Sequence, residues 1–426
     1  MTTPGSLSLP RYSIGTGDRF GHEAEAQLRA VIEAERLGMA LGIVWNKSYR
    51  EHTIIGSRPE DVRRMADKAV SALEWEGPYF VDADHITTKT VELFLDSSDF
   101  FTIDVAEAIG QEEISPQEEE DLLSSLDDLL NRELAIPGLS NPLTISEETA
   151  RETIRAYWPA VREAARIHQR IEKGTSRPFV VEVSMDETAD PQRPPELLLI
   201  LAMIRKAGIP ARTIAPKFSG SFYKGVDYVG DPEVFAREFE DDLCVVRYAR
   251  EAFRLPEGLK LSVHSGSDKF SLYPLIKDIL SRHPQEGVHL KTAGTTWLEE
   301  VTGLAESGGE ALALAKEIAL TCYSMIEELC APYAAVIDIN PDRLPSPGEI
   351  EDWSSGRFVE ALEHDPSNPS YNRDFRQLIH VGYKVAAQMG ERFHEALEAH
   401  REVIAARVTR NLLERHIIPL FPGGAA

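Results

Sequence analysis

The sequence is poor in cysteine and in positive charge. Only three cysteines, Cys244, Cys322 and Cys330, occur in 426 residues. Their number is odd and no two form a CxxC pair, which argues against a disulfide framework and against a thiolate zinc site. They read as buried small apolar residues in a reducing compartment. Lys and Arg total 45 against 70 Asp and Glu, a formal net charge of −25. Affinity for phosphate backbones and anionic bilayers comes from clustered Lys and Arg, so neither nucleic acid nor a membrane is expected as a partner. An anionic small molecule must instead meet a locally basic pocket, because distant charge is screened over ~8–10 Å. No window approaches ~18 consecutive apolar residues, so no transmembrane span is expected. Met1 to Pro10 show no basic stretch followed by an apolar run, which predicts no secretory signal and a cytoplasmic location. The glycine-rich stretch Gly15-Thr16-Gly17-Asp18-Arg19-Phe20-Gly21 has neither GxGxxG nor a GK[ST] ending, which excludes a nucleotide fingerprint. A tight strand-to-helix turn that lets substrate approach the backbone fits it better.

What is present is ordinary globular composition, 42% hydrophobic and 27% charged, which excludes a disordered or fibrous chain. Eight short apolar runs alternate with helical patterns, at 11–17, 40–46, 79–85, 99–105, 179–185, 211–217, 260–264 and 288–292. Continuous apolar strands separated by amphipathic helices indicate parallel strands buried on both faces. Pro59 opens one helix, Pro194 and Pro195 another, which Gly208 closes. The predicted fold is therefore α/β, a (β/α)8 TIM-type barrel over 11–307 with a helical insertion at 112–173 and a C-terminal helical extension at 308–426. The acidic run from Glu118 to Asp121 reads as a solvated face of that insertion, and the proline-rich stretch from Asn340 to Pro369 as an ordered lid rather than a linker.

In such a barrel chemistry sits at the C-terminal ends of the strands, and nearly every predicted end carries reactive residues. His85, His264 and His289 lie at three different ends. Neutral imidazoles suit a borderline divalent ion such as zinc and leave a position open for substrate, although any one of the three could equally be hydrogen-bonded at the rim. Period-2 alternation puts Asp82 and Asp84 on one strand face, and Glu182, Ser184 and Asp186 on another, with Glu187 close by. An inward Glu182 must be paired, metal-bound or catalytic; an ion pair with Lys217 or Lys291 competes evenly with catalysis. Lys217, Lys269 and Lys291, with Arg19 and Lys47 across the barrel, supply the local basicity an anion needs, one of them as a less favoured Schiff-base lysine.

The set Ser13-Ile14-Gly15-Thr16-Gly17-Asp18-Arg19, Asp82-Ala83-Asp84-His85, Phe101-Thr102-Ile103-Asp104, Val181-Glu182-Val183-Ser184-Met185-Asp186-Glu187, His264-Ser265-Gly266-Ser267-Asp268-Lys269, His289-Leu290-Lys291-Thr292-Ala293-Gly294-Thr295 and Arg376-Gln377-Leu378-Ile379-His380-Val381, in this order, resembles the tagaturonate epimerase family. The resemblance implies a metal-dependent isomerase that interconverts D-tagaturonate and D-fructuronate in hexuronate catabolism, with some members acting on tagatose and fructose. The inverted carbon, C4 counted from the hydroxymethyl end, is β to both the ketone and the carboxylate, so its proton is not activated. Retro-aldol cleavage between C3 and C4 followed by re-addition avoids that difficulty and needs no redox cofactor. The site is similar to that of class II aldolases, which implies His85, His264 and His289 as ligands of a divalent metal, zinc first, with manganese, nickel and cobalt as alternatives. It further implies Asp84 for proton transfer at the C4 oxygen and Glu182 for acid/base support, with Asp186 in reserve. Arg19, Lys47, Lys217, Asp268, Lys269 and Lys291 are assigned to the substrate, a sugar or sugar acid. For His380 a lid contact and a packed helix histidine both stay open. A homo-oligomer is compatible with the sequence. Competing readings are a metal-dependent aldolase or sugar isomerase on the same barrel, and a non-catalytic carbohydrate-binding barrel, which would lack strand-end groups.

Overall fold

The computed structural model describes residues 7–186, 188, 190–264 and 267–423; Glu187, Ser265 and Gly266 of the motifs above lie outside the described residues. Eight parallel strands close a barrel in sequence order: β1 (Tyr12–Gly17), β2 (Gly42–Ser48), β3 (Tyr79–Ile86), β4 (Phe100–Asp104), β5 (Val180–Ser184), β6 (Thr213–Ala215), β7 (Lys260–His264) and β8 (Val288–Ala293), which returns to β1. Helices α1 (Ala24–Arg36), α2 (Pro59–Ala72), α3 (Glu147–Gly174), α4 (Pro194–Lys206), α5 (Pro232–Ala252), α6 (Tyr273–Arg282) and α7 (Thr296–Ser307) surround it. The β3–β4 connection carries only a 3-10 turn at Val91–Leu93, and the 28-residue α3 packs over that turn.

Alternation along the strands separates two cores. Ile14, Ile43, Val81, Phe101, Val183 and Leu261 belong to the apolar layer between the barrel and its helices. The residues of opposite parity fill the barrel. Val44, Phe80, Phe100 and Val180, with Leu9 beneath, form an apolar floor. Two residues further along, the same face of β3, β4 and β5 carries Asp82, Thr102 and Glu182, all buried. The barrel therefore grades from an apolar floor to a charged mouth, and the charged groups sit where burial forces each to find a partner.

Two details aim side chains into that mouth. The β3–β4 register shifts between Ala83 and Ile86, and His85 has φ +52°. This bulge lets the consecutive residues Asp84 and His85 both face the mouth, which simple alternation forbids. At β1, a Cβ on Gly15 would lie 3.2 Å from the β8 backbone at Lys291 and Thr292. The glycine thus serves strand closure, where the sequence suggested an approach by substrate.

The acidic run differs from a solvated face. Helix Pro116–Ser124 turns it toward arginines of α3, with Glu119 at 3.0 Å from Arg151 and 2.8 Å from Arg155, and Glu118 at 3.1 Å from Arg162. The proline-rich stretch contains helices Pro347–Asp352 and Ser355–Leu362, whose Ile350, Phe358 and Leu362 are buried. Beyond α7 come further helices, among them α8 (Gly309–Ser324), α9 (Arg373–Val381) and α10 (Arg401–Arg410). They share a second apolar core with Leu298 and Val301 of α7, and α10 also packs on α1. Helix α9, capped by the Asn372 side chain on the Phe375 N–H, is buried from Asp374 to Val381 and carries Arg376 and His380.

Candidate active site

Strands β3, β5, β7 and β8 bring seven ionisable side chains into one wall of the mouth. His85, Asp186 and His264 each offer a ligand atom, and the three atoms lie within 4.8 Å of one another. The hydrogen bonds behind them fix which atoms those are. His85 Nδ1 lies 2.7 Å from Asp84 Oδ1, and His264 Nε2 lies 2.8 Å from Glu182 Oε1. A ring N–H donated to a carboxylate leaves a lone pair on the other nitrogen, which is how a second shell orients a metal-binding imidazole. His264 Nδ1 is buried without a hydrogen-bond partner, 3.1 Å from Asp186 Oδ2. Two such donors side by side fit a divalent cation of the borderline kind that imidazole and carboxylate share.

Lys291 holds the wall together from below. Its Nζ lies 2.7 Å from Asp82, 2.9 Å from Asp84 and 3.4 Å from Glu182, and it donates to Thr102 Oγ1. Burial opposes each charge, and the partners decide the outcome. Burial would raise Asp84 and Glu182, but Lys291 with His85 holds the first below the usual carboxylate range, and Lys291 with His264 holds the second well below it. Asp82 goes the other way, raised to about 6 by burial, with Lys291 opposing. Burial would lower His264, but Asp186 and Glu182 raise it to about 10, a field that favours positive charge at this point. The exposures separate two roles: the side chains of His85 and Asp186 are 27% and 23% exposed at the mouth, whereas Glu182 and Lys291 are 0% and 1%.

The residues expected at the site divide between this wall and other duties. His289 is expected from the sequence as the third metal ligand; the group of side chains that could hold an ion comprises His85, Asp186 and His264, and the His289 Nε2 is buried without a hydrogen-bond partner. His289 pairs in register with Ser262, two residues before the His264 level, and its Nδ1 meets Ser13 Oγ at 2.9 Å. Burial lowers it to about 3, a neutral ring in the barrel interior. Glu182 adopts the ion pair with Lys291 that competed with catalysis, and is sealed from the mouth. Lys291 is likewise enclosed by carboxylates and is not presented to a substrate. Asp268 accepts from Arg376 at 2.5 Å and contacts His364 at 3.2 Å and His416 at 3.3 Å, so it ties the loop after β7 to the C-terminal helices. Lys269 donates to the carbonyls of Tyr223 and Val226 at 2.9 and 2.8 Å, and burial lowers it to about 7. Lys47 donates to the Arg19 carbonyl at 2.7 Å. The half-buried Lys217 takes its fixed position from a backbone N–H to Gln192 Oε1, 2.8 Å.

Arg19 stands in a different wall, built by the loop after β1, the loop after β6 and the C-terminal helices. Its Nε lies 3.0 Å from Glu51, its guanidinium lies 4.2 Å from the Tyr383 ring centre, and its Nη1 donates to the His380 carbonyl at 3.4 Å. Lys224, Arg50, Glu51, Tyr333 and Tyr383 were not singled out from the sequence. They sit on loops and helices outside the strand-end pattern, and no periodicity marks them.

A family model described as tagaturonate epimerase matches residues 1–418. A tagaturonate/fructuronate epimerase of Thermotoga maritima is 28% identical over 421 residues, 96% of this chain and 80% of that protein. Crystal structures of fructuronate-tagaturonate epimerase from Cohnella laeviribosi share the fold: one with one glycerol bound has a TM-score of 0.77 at 23% identity, covering 97% of this chain and 82% of that one. A second, with two glycerols, has a TM-score of 0.78 at 23% identity and covers 98% and 83%.

Proposed function

The chain belongs to the tagaturonate epimerase family and is an isomerase; from that premise we propose that it inverts C4 of a six-carbon keto-uronate, interconverting tagaturonate and fructuronate, by retro-aldol cleavage and re-addition. The observation that carries the reading is the pair of imidazoles, each donating a ring N–H to a carboxylate, with ligand atoms of His85, His264 and Asp186 within 4.8 Å of one another. When held by His85, His264 and Asp186, a divalent ion, zinc first, supplies Lewis-acid polarisation of the C2 carbonyl. The protein supplies the rest. Asp84 touches both the orienting network and the mouth, its side chain 11% exposed. With Oδ1 held by His85 and Lys291, its other oxygen takes the C4 hydroxyl proton. The C4–O electrons form the aldehyde carbonyl, the C3–C4 bond breaks, and its electron pair passes into the C2–C3 enediolate. The aldehyde fragment turns, the bond re-forms on its opposite face, and Asp84 returns the proton to the C4 oxygen. Glu182 and Lys291 act as positioning residues, because neither reaches the mouth.

The division at residue 308 is part of the same proposal: the barrel carries the chemistry, and the C-terminal helices close one side of its mouth. A soluble cytoplasmic enzyme suits the unpaired cysteines, of which Cys244 and Cys322 are buried; among the described residues no helix is long and apolar enough to cross a membrane. The test is turnover of tagaturonate, fructuronate, tagatose and fructose with and without a chelator. Inverted hexuronate, lost with chelator and recovered with zinc or manganese, supports the reading. Two released fragments would make the protein an aldolase, a shifted carbonyl a sugar isomerase, and full activity in a metal-free preparation would remove the metal.

A further inference from the structure

Three cations, Arg19, Arg50 and Lys224, stand around the tyrosine pair Tyr333 and Tyr383. Arg19 pairs with Glu51 at 3.0 Å. Arg50 and Lys224 approach the Tyr333 ring centre at 5.6 and 5.9 Å, and the hydroxyls of Tyr333 and Tyr383 meet at 2.7 Å. Among the described residues Lys224 Nζ has no carboxylate within ion-pair distance. Beside it the His380 ring is buried, 6% exposed, and its Nδ1 has no hydrogen-bond partner. A buried nitrogen without a partner, beside a lysine without an ion pair, is costly unless a ligand supplies what is missing.

The backbone under Lys224 is built rather than loose. Its N–H donates to the Val336 carbonyl at 2.8 Å, and its carbonyl accepts from Gln377 Nε2 at 3.0 Å. The next residue, Gly225, donates to Ser267 Oγ at 2.7 Å and accepts from Arg376 Nε at 2.7 Å. Gly225 has φ +76°, and a Cβ there would lie 3.2 Å from His380 Cβ, so the loop and α9 are pressed together at this point. Burial lowers Lys224, with Arg19 adding to the effect, while Glu51 and Asp84 oppose it. Asp84 is thus among the charges that act on Lys224.

We propose that Lys224, with Arg19 and His380, forms the subsite that binds the substrate's carboxylate. The inference rests on the uronate reading above. The geometry suits that substrate, since its carboxylate carbon is two carbons from C4. It also solves a problem of the mechanism. After C3–C4 cleavage the carboxylate stays on the aldehyde fragment, so a fixed anchor lets the aldehyde turn over without leaving the site. A neutral ketohexose has a hydroxymethyl group there and gains nothing from the cations.

The experiment compares Lys224→Met and Lys224→Arg with wild type on tagaturonate and tagatose, with melting temperatures recorded for all three proteins. Losing one charge-assisted contact predicts a ~10- to 100-fold fall in the ratio of kcat/KM for the uronate to kcat/KM for the neutral sugar in Lys224→Met. Most of that fall lies in KM, and Lys224→Arg recovers much of it. Wild-type enzyme active on the uronate with an unchanged ratio in Lys224→Met overturns the subsite alone. Equal losses on both sugars in Met and Arg variants reduce Lys224 to a structural residue and also overturn it. Wild type inactive on the uronate overturns the underlying reading as well.

Discussion

The two walls of the barrel mouth handle charge in opposite ways. On the β3, β5, β7 and β8 side the charges interlock: Lys291 is shared by three carboxylates, and two of those hold imidazoles. On the other side Arg19 pairs with Glu51 while Arg50 and Lys224 lie over the Tyr333 ring, and the buried His380 Nδ1 has no hydrogen-bond partner. An interlocked network is what fixed geometry requires, because each buried group constrains the next. An unbalanced one is what ligand binding requires, because it leaves a favourable partner for the ligand to supply. The acid-rich wall orients chemistry, and the cationic wall waits for an anion.

Breaking the ligand wall gives the largest expected effect. His264→Ala removes one donor of the group and leaves Glu182 without its imidazole. Bound metal measured by elemental analysis should fall well below one per chain, and turnover should fall by roughly 10³-fold or more. Retained metal with near-normal turnover would transfer the ligand role elsewhere. Next comes Lys291→Met, which strips the common cation from Asp82, Asp84 and Glu182. Breaking a buried ion pair typically costs about 3–5 kcal/mol, so denaturant unfolding should show a marked loss of stability beside the loss of activity. A stability change within ~0.5 kcal/mol would mean the network is not interlocked.

The smallest effect lies at the buried Glu23 and Glu300, which sit in one field with Asp18, Arg19 and Lys47. Burial, reinforced by Asp18, raises Glu23 to about 8. A carboxyl whose folded value is raised binds more protons folded than unfolded, so its contribution is full below ~4.5 and is lost as pH rises through about 8. Glu23→Gln should flatten that part of the melting-temperature profile, with a gain on the order of a few kcal/mol at most near pH 8. An unchanged slope between pH 5 and 8 would show that Glu23 is charged throughout.

The walls also differ in how far the sequence revealed them. Strand-end residues obey period 2, so alternation alone placed Asp82, Asp84, Glu182 and Asp186 on common faces, and the eight apolar runs located the barrel. His289 obeys the same parity but lies one layer below His264, because which end of an inward face reaches the mouth depends on strand register, and no single strand carries that information. His85 reached the site against parity, through the bulge after Ala83. Lys269 and Asp268 had the right chemistry at a strand end, yet the loop carbonyls and α9 claimed them. Lys224 and Arg50 carry no local signal; Lys224 takes its position from a loop held by Val336, Gln377 and Arg376, far away in sequence. Tertiary contacts of that length leave no periodic trace.

The hydrogen on C4 decides between the proposed chemistry and its rival. Tagaturonate is incubated with the enzyme in D₂O until epimerisation is complete, and deuterium at each carbon of the product is read by NMR. Retro-aldol cleavage breaks C3–C4 and leaves the C4 hydrogen on the aldehyde, so the product should be inverted at C4 and carry no deuterium there. Solvent deuterium at C4 would show that the carbon itself is deprotonated, and would contradict the proposed roles of Asp84 and of the ligand wall.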